Sequence, residues 1–76
     1  MHKRTAKRQL SKQQEADIAE YGVAEGLRIV HVRDASWLGC VHSITRNLAD
    51  VTTCFVLWDG NTELDVQFTN KLRLVP

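Results

Sequence analysis

The C-terminal two thirds of the chain consist of short runs of apolar residues that predict closely spaced strands. The runs cover residues 26–32, 37–44, 54–61, 64–68 and 71–75, and little chain separates them. Turns are predicted at residues 34–36, 47–50 and 59–61, and the last of these, Asp-Gly-Asn, is a strong hairpin signal. Five short strands in this order predict a small closed β-barrel over residues 26–76.

The alternation of apolar and polar residues also predicts which side chains face the core. Cys54, Val56 and Trp58 share one face of the third strand, because successive side chains of a strand point to opposite faces. The fourth strand alternates cleanly, with Leu64, Val66 and Phe68 predicted inward and Glu63, Asp65 and Gln67 outward. The first strand carries apolar residues on both faces, so the pattern does not decide between Ile29 and Val30.

Two features of the second strand indicate irregular pairing. Gly39 lies inside the strand, which predicts a bulge or a close approach of another backbone. Val41 and Ile44 are three residues apart, so burying both of them requires a β-bulge.

Residues 13–25 predict a short helix and a linker ahead of the strands. Ser11 is a helix-capping residue, and Gln14 stands three positions later, as in a capping box. Good helix formers fill residues 12–16, and Gly22 is a natural stop. The apolar stripe of this helix is thin, so it needs the strands to hold it.

Charge is distributed unevenly although the net charge is only +1. Residues 1–12 contain five bases and no acid, and they are predicted to form a mobile basic tail. Residues 13–25 contain acids and no base, whereas bases and acids balance from residue 26 onward. A cluster of cations at one end suits sequence-independent, salt-sensitive binding to phosphates.

Size and composition narrow the classes of protein further. Seventy-six residues make one domain, and no apolar run reaches the length of a membrane span. No apolar stretch follows the basic start, so we expect no secretory signal and a cytoplasmic location. Cys40 and Cys54 are expected to be reduced, with a disulfide as the alternative if their strands pair. No closely spaced pair of cysteines begins a zinc site.

The spacing of residues 26–76 resembles that of KOW- and Tudor-type SH3-like barrels. The pattern is carried by Gly26 and Ile29, Gly39 and Val41, Trp58-Asp59-Gly60, the alternating strand, and Leu72 with Leu74 and Val75. The resemblance implies an all-β fold, an SH3-like five-stranded small barrel after a short N-terminal helix and a basic disordered tail. In that superfamily such barrels bind RNA, ribosomes, DNA or modified peptides.

A narrower pattern is similar to the small plasmid-borne, trimethoprim-insensitive dihydrofolate reductases. Gly26, the Trp37-x-Gly39 pair and the Val-Gln-Phe run at residues 66–68 have comparable spacing. That family uses a Val-Gln-Ile-Tyr run and a lysine on the first strand, where this chain has Thr69 and His31. The resemblance implies an oligomeric reductase as a remote alternative function.

The basic head has a resemblance of its own. Residues 6–14 are similar to the start of some bacterial ribosome-assembly GTPases. No Gly-x-x-x-x-Gly-Lys-Ser/Thr motif is present, so GTPase activity does not follow.

The candidate nucleic-acid-binding residues combine the basic head with arginines and one tryptophan of the barrel. They are Lys3, Arg4, Lys7, Arg8, Lys12, Arg28, Arg33, Trp37 and Arg46. Lys71 and Arg73 extend this surface if they cluster with the others. Trp37 follows a turn, where it stacks on a base, holds a partner peptide or closes one end of the barrel. Only five aromatic residues are present, so a cage for methylated lysine is not predicted.

These observations predict a small non-enzymatic binding module, associated with nucleic acid or the ribosome through its tail. The alternative is a protein–protein interaction module or a regulatory accessory protein of phage or plasmid origin. We predict no catalytic residue, no metal and no cofactor. His31 and His42 lie on predicted strands and are a conceivable pair of metal ligands, and no third ligand is evident. The sequence does not predict the oligomeric state.

Overall fold

The computed structural model describes residues 9–75, which form one antiparallel sheet and one helix. The elements are α1 (Lys12–Tyr21), β1 (Arg28–His31), β2 (Asp34–Arg46), β3 (Thr52–Trp58), β4 (Asp65–Phe68), a 3₁₀ turn (Thr69–Lys71) and β5 (Leu72–Leu74). The strand order is β4-β3-β2-β1-β5. The prediction of a β fold with five strands and a short helix is therefore confirmed. The predicted closure into a barrel is not confirmed, because β4 and β5 do not pair within residues 9–75 and the sheet is open. No helix of this range is long and apolar enough to span a membrane.

The capping box predicted for α1 is present. The Gln14 amide donates to the Ser11 hydroxyl (3.0 Å), and the Ser11 amide donates to the Gln14 side-chain oxygen (2.8 Å). Gly22 ends the helix with φ of 83°, as predicted, and its amide donates to the Ile18 carbonyl. The Gln14 side chain also donates to the carbonyl of Glu25 (2.9 Å), which ties the helix to the approach to β1.

The core lies on one face of the sheet and is closed by the segment after the helix. Its buried members are Val23, Ile29, Val41, Cys54, Val56, Trp58 and Leu72. The shared face predicted for Cys54, Val56 and Trp58 is confirmed, since all three are buried. Ile29 and Val30 are both buried, which explains why the pattern of β1 did not distinguish them. No disulfide joins Cys40 and Cys54 in the structure.

Both irregularities predicted for β2 are present. The register against β3 shifts between Val41 and Ser43, so a bulge buries Val41 and lets Ile44 pack against the core. Gly39 pairs with Trp58, and a Cβ atom on it would lie only 2.7 Å from the Leu57 carbonyl oxygen. The glycine therefore marks a close approach of the β3 backbone.

The predicted inward face of β4 is wrong. The side chains of Leu64, Val66 and Phe68 are 43%, 52% and 53% exposed. Asp65 and Gln67 instead lie half-buried, opposite Val56 and Cys54 of β3. The physical reason is the Trp58 indole N–H, which donates to the Asp65 carboxylate (2.9 Å) and holds it on the inner face.

The turn predicted at residues 34–36 is also misplaced. β2 begins at Asp34, which pairs with His31, and the turn is made by Val32 and Arg33. The Asp34 carboxylate accepts hydrogen bonds from the Ser36 amide and hydroxyl, which lowers the pKa of Asp34. These bonds form within an extended segment, so the Asp-Ala-Ser signal did not distinguish a strand from a turn.

Candidate functional site

Within residues 9–75, the residues predicted to bind phosphates are not gathered into one surface. Lys3, Arg4, Lys7 and Arg8 lie outside the described residues, and Lys12 is exposed at the start of α1. Arg28 begins β1, Arg33 lies in the turn between β1 and β2, and Arg46 ends β2. Their partners show which of them are available for a ligand.

Arg28 is engaged by the turn that follows β3. Its guanidinium donates two hydrogen bonds to the Asp59 carboxylate, at 2.7 and 2.6 Å. This bidentate pair raises the pKa of Arg28 and lowers the pKa of Asp59. Because both carboxylate oxygens are used, Arg28 would have to leave Asp59 to offer the same geometry to a phosphate.

Arg46 joins the end of β2 to the end of α1. Its guanidinium donates to the Glu20 carboxylate and to the Tyr21 hydroxyl (3.0 Å), and it lies 5.7 Å from the centre of the Tyr21 ring. Asp50 is a further partner at 3.4 Å. The bond to Glu20 raises the pKa of Arg46, and the whole arrangement holds the helix against the sheet.

Trp37 borders a cleft of about 560 Å³ between the start of β2 and the loop that joins β3 to β4. Its ring is 50% exposed and lies 5.5 Å from Trp58 and 5.4 Å from His31, both edge-on. Among residues 9–75, three carboxylate residues and no base line this cleft: Asp59, Glu63 and Asp65. We call it the acidic cleft. Its charge opposes a phosphate, so base stacking on Trp37 is electrostatically unfavourable.

Asp65 fixes the wall of the acidic cleft. One carboxylate oxygen accepts from the Trp58 indole (2.9 Å) and from the Gln67 side-chain amide (2.8 Å), and the other accepts from the Val66 amide (3.0 Å). The bond from Trp58 contributes most to lowering the pKa of Asp65, so this carboxyl is ionised at neutral pH. It orients the Trp58 ring, against which Trp37 packs.

Arg33 belongs to a second surface, which has the opposite charge. A shallow cavity of about 350 Å³ is lined by His31, Arg33, Thr53, Val66, Gln67, Phe68 and Lys71. We call this surface the basic face. No acid lines it, and neither Arg33 nor Lys71 forms an ion pair within residues 9–75.

The backbone positions the two cations of the basic face. The Val32 amide donates to the Lys71 carbonyl (2.9 Å), which joins the turn carrying Arg33 to the 3₁₀ turn. Phe68, the last residue of β4, is 53% exposed beside them. An aromatic ring, an amide and two unpaired cations thus share one open surface.

Sequence reasoning missed Phe68 as a surface residue because the alternation of β4 placed it in the core. The sequence predicts Lys71 only as an extension of a surface formed by the other cations. The run at residues 66–68 and His31, on which the reductase resemblance depends, line the same basic face.

Comparison with known proteins gives no relative from which a function could be carried over. No protein-family model, no curated protein and no solved structure matches the chain.

Proposed function

We propose that the protein is a small, non-enzymatic binding module for single-stranded nucleic acid and that the basic face is its binding surface. One observation carries the proposal: the half-exposed ring of Phe68 lies beside two cations, Arg33 and Lys71, that have no carboxylate partner within residues 9–75.

We also propose that the fold is an SH3-like small barrel of the KOW or Tudor type, as the spacing of residues 26–76 implies. The strand order supports this, because β5 pairs with β1 at one edge of the sheet while β4 is the other edge. The short 3₁₀ turn between β4 and β5 supports it as well, since it brings the chain from one edge to the other.

The chemistry of the basic face suits a single strand better than a duplex. Proteins that bind single strands combine cations along the backbone with aromatic rings on which bases stack. Phe68 offers a ring at the surface and Arg33 and Lys71 offer charge, whereas the Gln67 side-chain amide already donates to Asp65. A duplex keeps its bases stacked inside, so it would use only the cations.

The basic head supplies further affinity in this proposal. Lys3, Arg4, Lys7 and Arg8 neutralise phosphates without regard to sequence, each releasing counterions. The head then contributes to binding of any nucleic acid, whereas Phe68 contributes only where a base is free to stack.

The proposal is tested by fluorescence anisotropy with labelled oligo-dT, oligo-rU and a duplex, at about 50 and 200 mM salt. We expect Phe68→Ala to weaken single-strand binding by about 1–3 kcal/mol and to leave duplex binding unchanged. Removing both cations, Arg33→Gln with Lys71→Gln, should reduce the slope of log K against log salt by about 1.4. These side chains are exposed or half-exposed, so the fold should tolerate the changes.

Arg73→Gln is the matched control, because Arg73 is exposed, has no ion pair within residues 9–75 and does not line the basic face. A second variant replaces Lys3, Arg4, Lys7 and Arg8 with glutamine and should weaken all three nucleic acids alike. Absence of binding at low salt would overturn the proposal and favour a protein-docking module. Equal losses for Arg73→Gln and Phe68→Ala would show that the basic face is not the site.

A further inference from the structure

The acidic cleft is separate from the basic face and has its own binding chemistry. The residues that line one of these surfaces do not line the other. The cleft is formed by the start of β2, the end of β3 and the loop before β4, and half of the Trp37 side chain remains exposed in it. Any ligand that fills it must suit both indole rings and carboxylates.

The carboxylates of the cleft are only partly compensated. Asp59 is paired with Arg28, and Asp65 accepts hydrogen bonds from Trp58 and Gln67, which are neutral. Hydrogen bonds hold the pKa values of both aspartates below their usual range, so both are charged at neutral pH. Glu63 makes no hydrogen bond or ion pair within residues 9–75. Three carboxylates therefore face a single guanidinium, and the cleft is left with a negative charge.

We propose that the acidic cleft binds an arginine side chain of a protein partner, with the guanidinium against the Trp37 ring and hydrogen-bonded to Glu63. A guanidinium is planar, stacks on indole faces and donates two parallel hydrogen bonds to a carboxylate. The cleft presents a half-exposed indole ring and an unpaired carboxylate together, which are the two kinds of group that this side chain engages at once.

Other occupants fit the cleft less well. A phosphate is repelled by the three carboxylates. An apolar side chain would cover Glu63 and Asp65 without supplying donors, which costs free energy because buried charges lose their water. An ammonium group matches the charge but has no flat surface to place on the indole. The cleft and the basic face have different lining residues, and one hydrogen bond, from the Gln67 side chain of the basic face to Asp65 of the cleft, connects them.

The test titrates the full-length protein with N-acetyl-arginine amide and follows the indole N–H resonances of Trp37 and Trp58 by NMR. The chain contains only these two tryptophans, and a Trp37→Phe variant assigns them. The neutral isostere N-acetyl-citrulline amide and the ammonium analogue N-acetyl-lysine amide are titrated in parallel. We expect saturable shifts with arginine, larger for Trp37, and at least two-fold weaker binding of lysine, on the order of the energy of one exposed contact.

Two matched variants place the binding in the cleft. Glu63→Gln should weaken arginine binding by about two- to five-fold, the range expected for one exposed ion pair. Glu25→Gln makes the same change in charge outside the cleft and should leave the affinity unchanged. The proposal would be overturned if the citrulline or the lysine compound bound as tightly as the arginine compound. It would also be overturned if the two variants changed arginine binding equally. Shifts that never saturate would overturn it as well.

Discussion

Replacing Gly39 by alanine tests the packing that holds Trp58 in the wall of the acidic cleft. Gly39 does not have a positive φ, so the backbone itself accepts any side chain at this position. The obstacle is space: an added Cβ would lie 2.7 Å from the Leu57 carbonyl oxygen, 3.0 Å from Cε3 of Trp58 and 3.1 Å from its Cα. Two of these three atoms belong to the β3 backbone.

The cost of this substitution follows from how little β3 can move. Carbon–oxygen contacts are normally about 3.3 Å or longer, so the backbones must separate by roughly 0.6 Å. β3 is paired with β2 on one side and β4 on the other, and moving it strains both ladders. Overpacking of this kind costs about 1–3 kcal/mol, and the lower entropy of the unfolded alanine variant offsets about 0.4–1 kcal/mol. We expect a net loss of about 1–2 kcal/mol.

Thermal unfolding followed by circular dichroism measures this loss. For a domain of this size, about 1–2 kcal/mol lowers Tm by about 4–16 °C. Gly60→Ala is the control, because nothing lies within 4 Å of its Cβ and only its φ of 88° is unfavourable. Both variants should lose stability, but only Gly39→Ala should shift the Trp58 indole resonance. A Tm equal to or above that of the wild type for Gly39→Ala would refute the steric argument.

Two further predictions concern titrating groups. The Trp58 hydrogen bond keeps the pKa of folded Asp65 below its unfolded value of about 3.9, so its stabilising effect is complete above that pH and is lost on acidification. Below about pH 4, the free energy of unfolding measured with urea should therefore fall less with acidification in Asp65→Asn than in the wild type. The same pH profile for both proteins would contradict this. Burial raises the pKa of the Cys54 thiol to about 11, whereas Cys40 is half-exposed. A disulfide reagent should modify Cys40 first in the native protein and both thiols in urea; equal native rates would contradict the burial of Cys54.

Local signals in the sequence predicted local structure well. Ser11 with Gln14 predicted the start of the helix, and Gly22 predicted its end. Each depends on residues close in the chain whose side chains have one dominant structural use. Gly39 belongs to the same class, since a glycine inside a strand has few explanations besides a close approach or a bulge.

The candidate site was less predictable because it depends on partners far away in the chain. Arg28 and Arg46 are of a residue type that commonly binds phosphates, yet each is paired with a carboxylate, 31 and 26 residues away in the chain. Nothing in the local pattern marks such pairs, so the sequence did not distinguish paired from free cations. Arg33 and Lys71 form no ion pair within residues 9–75, and the carboxylate of the neighbouring Asp34 accepts hydrogen bonds from Ser36 instead.

The register of β4 links the two surfaces. Because side chains alternate along a strand, a shift of one residue would turn Phe68 into the core and Asp65 outward, as the apolar pattern predicted. The Trp58–Asp65 hydrogen bond favours the opposite choice, since burying the indole N–H without a partner would cost about 1–3 kcal/mol. The same bond therefore places a carboxylate in the wall of the acidic cleft and leaves the ring of Phe68 on the basic face. The alternation of apolar residues carries no information about this hydrogen bond. For that reason it predicted that β4 is a strand but not which of its faces is exposed.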